Sequence, residues 1–93
     1  MNILHLTLKK KWFDMILAGI KKEEYREIKP YWRKRLLGKK FDAIHFRNGY
    51  GKSAPCFTIE LTGVYRGLGI VEWGAPDGKE VFILRLGEIL NHI

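Results

Sequence analysis

Three side chains able to act on a charged ligand fall within six residues of one another: the ammonium of Lys21, the carboxylate of Glu24 and the guanidinium of Arg26. They lie in the run Gly19-Ile20-Lys21-Lys22-Glu23-Glu24-Tyr25-Arg26. On a strand, alternate side chains share a face, so Glu24 and Arg26 point together while Tyr25 points away. A carboxylate placed in this way holds the guanidinium planar and aimed. Arg26 then meets a phosphate or a base edge through its fork, Lys21 supplies a point charge, and Glu24 orients Arg26 or accepts from a base amino group. The same groups also admit catalysis. A lysine in a cleft beside an arginine has a depressed pKa and suits a general base, with Glu24 as proton carrier. A solvated ion-pair strand has the same sequence, and periodicity does not separate it from a cleft.

A second group, His45, Arg47, Asn48 and Tyr50, sits at a strand end and in the turn after it. These residues are candidates to complete the wall of such a cleft by hydrogen bonding and stacking, as in readers of single-stranded RNA. Each also has a purely structural role open to it: packing for His45 and Tyr50, solvation for Arg47, turn formation for Asn48. Lys9, Lys10 and Lys11 stand where a helix begins, opposing its dipole at a cost of a few tenths of a kcal/mol. An anion bound there removes the conflict, so this turn is either a phosphate site or a solvated helix start.

Other chemistries find little support. His5, His45 and His92 are scattered and Cys56 is the sole cysteine, so no metal site and no cofactor are expected. Gly49-Tyr50-Gly51 is a glycine pair with no helix after it, which fits a turn and not a phosphate-binding loop. Ser53, the one serine, has no nucleophile motif around it. Cys56, between Pro55 and Phe57, reads as a buried strand residue in a reducing compartment.

The elements that must position these groups can be read along the chain. Ile3, Leu4, Leu6 and Leu8 form a first strand. Phe13, Ile16, Leu17 and Ile20 recur at i, i+3, i+4 and i+7, predicting a helix over about residues 10–18 that ends in a left-handed cap at Gly19. Pro30 opens a second, basic helix through Tyr31, Trp32, Leu36 and Leu37 that closes at Gly38. Trp32, spaced i, i+4 from Leu36, reads as core or as a platform for a base. From residue 41 the pattern becomes strand-like: 42–47, then about 55–65 with a bend or bulge at Gly63, and a final strand at 80–86 after the turn Pro76-Asp77-Gly78. Residues 67–74 are ambiguous. The expected architecture is a single α+β domain over residues 1–93: a small curled sheet or partly closed β-barrel of about five or six strands, with two short helices near the N-terminus.

A chain of 93 residues with 46% hydrophobic and 29% charged side chains suits one soluble core. No stretch approaches the roughly 20 apolar residues that span a bilayer, and the start lacks a secretory signal, so no membrane association and a cytoplasmic location are expected. The net charge of +7 is uneven: residues 1–40 hold 12 of the 17 Lys and Arg against four acids, whereas residues 41–93 hold five against six. A basic half of this kind favours a polyanionic partner, and nucleic acid is the one it suits best.

The stretch from Leu8 to Arg26 resembles the opening of an ASCH domain (activating signal cointegrator homology), in the PUA-like superfamily. Those domains begin with a strand, a helix bearing an early tryptophan, then G-x-K-x-x-E-x-R. Trp12, Gly19, Lys21, Glu24 and Arg26 fall in register, and Cys56 to Thr62 fits a barrel strand. The resemblance covers most of the chain in order of elements and the first third at motif level. It implies a PUA-like β-barrel whose cleft, lined by the motif and Trp12, recognises RNA or a nucleotide-containing ligand. Some ASCH proteins are instead hydrolases of acylated cytidine nucleosides or of RNA. In the small amidohydrolase branch the motif lysine works with a threonine three residues later and a separate glutamate. Lys21 matches that lysine but Glu24 occupies the threonine's place, a departure that favours binding over catalysis.

Overall fold

The computed structural model describes residues 1–92. Five strands and two α-helices follow one another as β1 (Ile3–Leu8), α1 (Lys10–Leu17), β2 (Glu23–Arg26), α2 (Pro30–Leu37), β3 (Ala43–Asn48), β4 (Cys56–Leu68) and β5 (Glu80–His92), with a short 3-10 turn at Val71–Trp73 before β5. The fold is α+β, and its strands form one sheet in the order β1-β3-β4-β5-β2, curled into a half-barrel. Only β1 and β3 run parallel. No helix among the described residues is long and apolar enough to cross a membrane.

Alternation along the strands builds the core. Leu4, Leu6 and Leu8 of β1, Ile44 and Phe46 of β3, Phe57, Ile59 and Leu61 of β4, and Phe82, Leu84 and Leu86 of β5 all face inward, where Phe13 and Ile16 of α1 and Leu36 of α2 close over them. Burial of these apolar side chains is the main force holding the sheet curled around the helices. Register shifts in the β4–β5 pairing between Thr58 and Gly63 bend the two long strands, as bulges do.

Several boundaries differ from those expected. Strands β4 and β5 are each 13 residues long, because their pairing continues past Tyr65 and Leu86 into two extended arms. Residues 67–74 resolve into the end of β4 and the 3-10 turn. Helix α1 stops at Leu17, so Ile20 leaves the apolar face and is 58% exposed. Gly38 does end α2, but with φ −85°, outside the left-handed region. Cys56 is half-buried, since the alternation that turns Phe57 and Ile59 inward puts it on the opposite face of β4.

Candidate functional site

The half-barrel is open between its two edge strands, and a cleft of about 850 Å³ lies there. Thr7 and Leu8 of β1 and Asn48, Gly49 and Tyr50 after β3 line one side; Glu24, Tyr25, Arg26 and Glu27 line the other. Lys9, Lys10 and Trp12 come from the start of α1, and Trp73 and Gly74 from the 3-10 turn.

The entry into β2 is built by the end of α1. Gly19 takes φ +79°, its N–H bonds the Ile16 carbonyl at 3.0 Å, and the Ile20 N–H bonds Met15 at 2.9 Å. This pair of bonds is a Schellman closure, in which a glycine reverses the chain without steric cost. The Lys21 N–H also reaches the Met15 carbonyl, at 3.0 Å. The reversal drives Lys21 into the protein, where only 2% of it is exposed.

Glu24 stands between two cations. One carboxylate oxygen lies 3.2 Å from Lys21 Nζ and the other accepts from Arg26 Nη2 at 2.7 Å. Glu24 and Arg26 lie opposite Leu84 and Phe82 of β5, so both project to the inner face while Tyr25 takes the outer one. Lys21 Nζ also donates to the Trp73 carbonyl at 2.5 Å and sits 4.6 Å from the Tyr25 ring and 5.3 Å from the Trp12 ring, favourable positions for a cation. Burial lowers the pKa of Lys21 from the ordinary 10.5, with Glu24 opposing the shift and Arg26 adding to it.

Arg26 is held on two sides. Its guanidinium bonds Glu24 at one edge and lies 5.1 Å from the centre of the Trp32 ring. Its Nε is buried and has no hydrogen-bond partner, the one such side-chain atom among the described residues. An unpaired buried donor of this kind costs about 1–3 kcal/mol. Helix α1 presents a second set of unmet donors. No side chain caps its first turn and no acid lies there, so the first N–H groups, beside Lys9 and Lys10, favour an anion. Lys10 is partly committed, at 2.5 Å from Asp14.

Of the residues picked out in the sequence, Trp12, Glu24, Arg26, Asn48 and Tyr50 line the cleft, with Tyr50 90% exposed at its rim. Lys21 lies behind the wall, not on it. His45 and Arg47 are elsewhere: the alternation that turns Ile44, Phe46 and Asn48 inward turns these two outward. His45 Nδ1 is 3.0 Å from Thr58 Oγ1 and its ring is 5.3 Å from that of His5. Arg47 Nη2 donates to the Gly51 carbonyl, bracing the turn. Trp73 and Gly74 had no signal beyond a glycine after an aromatic residue. Gly74 has φ +103°, and a Cβ there would stand 3.0 Å from the Trp12 indole, so glycine lets the turn close on Trp12. Comparison with family models, curated proteins and solved structures gave no match.

Proposed function

We propose that this chain is an ASCH-type, PUA-like domain that binds RNA or a nucleotide-containing ligand in the cleft between its sheet edges. The observation that carries the proposal is the state of Arg26: at the cleft wall, with its guanidinium locked against Glu24 and the Trp32 ring. A guanidinium fixed in this way is pre-organised for a phosphate or a base edge. The uncapped start of α1 with Lys9 offers a place for a phosphate, and Trp12 and Tyr50 offer apolar surface to a base. The strand, helix and motif order and the curled five-stranded sheet support the family reading at the level of architecture.

Binding draws on groups that line the cleft, whereas hydrolysis with Lys21 as general base draws on a group that does not. Lys21 Nζ is engaged by Glu24 and by the Trp73 carbonyl, and its side chain is 1% exposed, so its ammonium is not open to a substrate in the cleft. Titration of single-stranded RNA by fluorescence anisotropy at stepped salt tests the proposal. Affinity is expected to fall steeply with salt as phosphates are neutralised. Arg26→Ala is expected to remove most binding. Arg26→Lys, which keeps the charge and loses the fork, should weaken it about tenfold or more with the fold intact by thermal melting. Salt-independent binding, or wild-type affinity in Arg26→Lys, overturns it.

A further inference from the structure

Helix α2 carries charge that its packing does not use. From Ile28 to Phe41 the chain has six cationic side chains and no acid. Arg33 and Lys34 are exposed, and neither has an acidic partner among the described residues. Solubility explains surface charge, but it does not explain the aromatic side chains set among these cations. Tyr31 is 60% exposed, stands edge-on to Trp32 with ring centres 4.9 Å apart, and is held by Arg35, whose Nη1 donates to the tyrosine hydroxyl at 3.0 Å.

This surface is continuous with the cleft. The Trp32 ring takes the Arg26 guanidinium at 5.1 Å and the Arg35 guanidinium at 5.4 Å, so one indole joins the cleft wall to α2. Cations for a phosphate backbone, interleaved with an exposed ring fixed by a guanidinium, are the parts from which sequence-tolerant single-strand surfaces are made.

We propose that α2 is a second contact surface for single-stranded nucleic acid, continuing from the cleft across Trp32, so that the ligand is a polynucleotide and not a free nucleotide. The inference rests on the cleft reading and extends it. A strand anchored at Arg26 runs on over Trp32, with its phosphates on Arg33 and Lys34 and a base on Tyr31.

Anisotropy or competition binding with a nucleoside monophosphate, a dinucleotide and progressively longer oligouridylates and oligothymidylates tests this, using wild type, Arg33→Gln/Lys34→Gln, Tyr31→Ala and Arg26→Lys. Affinity is expected to rise with length beyond the dinucleotide. With longer strands, the double variant should make the log-affinity against log-salt slope shallower by about 1.4, two phosphates at roughly 0.7 each. Tyr31→Ala should bind single strands about tenfold more weakly and a duplex of the same length unchanged. Both should leave mononucleotide binding unaltered, and all three residues are accessible enough that a thermal melt will show the fold intact. Mononucleotide binding with no gain from length overturns this inference and leaves the cleft reading standing. Length-dependent binding that ignores Arg26→Lys but is lost in the α2 variants overturns the cleft reading and leaves the α2 surface standing. An unchanged salt slope in the double variant, capture by phosphatidylserine vesicles in place of oligonucleotides, or no binding by any arm overturns the α2 proposal.

Discussion

Glu24 is the residue on which the site turns. With its side chain 8% exposed it pairs with Lys21 and Arg26 at once, and removing one partner of a buried ionic cluster costs far more than the cluster contributes. Glu24→Gln keeps the shape and deletes the charge, leaving two cations facing each other. The expected loss of stability is about 3 kcal/mol in urea unfolding at neutral pH. The deficit should narrow as pH rises, because Lys21, already lowered from 10.5 and now without its carboxylate, sheds its proton. A deficit that does not change with pH would place the cost in packing alone. On the opposite face of the sheet, burial lowers the pKa of His45 from 6.5, with His5 and Arg47 adding to the shift. Its contribution to stability is present above 6.5 and is lost as pH falls toward the lowered value, where the unfolded chain binds the proton more readily. Replacing His45 by Gln keeps a partner for Thr58 without the titration, so the fall in urea midpoint from pH 7 to pH 5 should shrink. The pairing of Glu24 with Arg26 was legible in the sequence because two residues apart on a strand fixes a shared face. The burial of Lys21 was not, because it follows from hydrogen bonds at the end of α1 that no residue spacing records.

Between the elements, Lys21 works as a tie. Its ammonium joins β2 to the 3-10 turn through Trp73, while the Tyr25 hydroxyl accepts the Ile70 N–H at 3.0 Å and donates to Glu23 at 2.8 Å. Around these bonds Tyr25, Ala75 and Val81 form a small core of their own on the outer face of the sheet. Lys21→Met fills the same space without the ammonium, so the turn keeps its apolar contacts and loses its tether. Amides of residues 70–75 should exchange faster, by about tenfold, while those of β3 and β4 are unaffected. Uniform acceleration across the protein would mean that the substitution lowers global stability and that the tie is not local. The segment was ambiguous in the sequence because its backbone is set by partners about 50 residues away. The second group of candidates divided for the opposite reason. His45 and Arg47 are neighbours of Asn48 and Tyr50 in sequence, yet alternation along β3 sends His45 and Arg47 away from the cleft.

The whole molecule carries its excess of positive charge in the first 40 residues, and the fold gathers part of that segment around one opening: α1 begins there, β2 forms one wall, and α2 adjoins it through Trp32. The steep salt dependence expected of the proposed binding belongs to this scale, since it would sum phosphate contacts over the cleft and α2. The class of fold was legible because β3 and β4 alternate apolar and polar residues and a glycine follows each helix. The strand order was not, since nothing local states that β1 lies beside β3 and β2 beside β5. That order has a consequence for how the protein is made. The cleft lies between strands whose sheet partners are distant in the chain: β1 pairs with a strand 40 positions later, and Arg26 in β2 faces Phe82. Loop closure over such separations is slow, so formation of this opening trails the local helices. During synthesis Glu24 and Arg26 have no sheet to hold them until β5 has left the ribosome. A nascent chain therefore displays its basic half well before the cleft exists, and the selective recognition proposed for that cleft requires that β5 has docked.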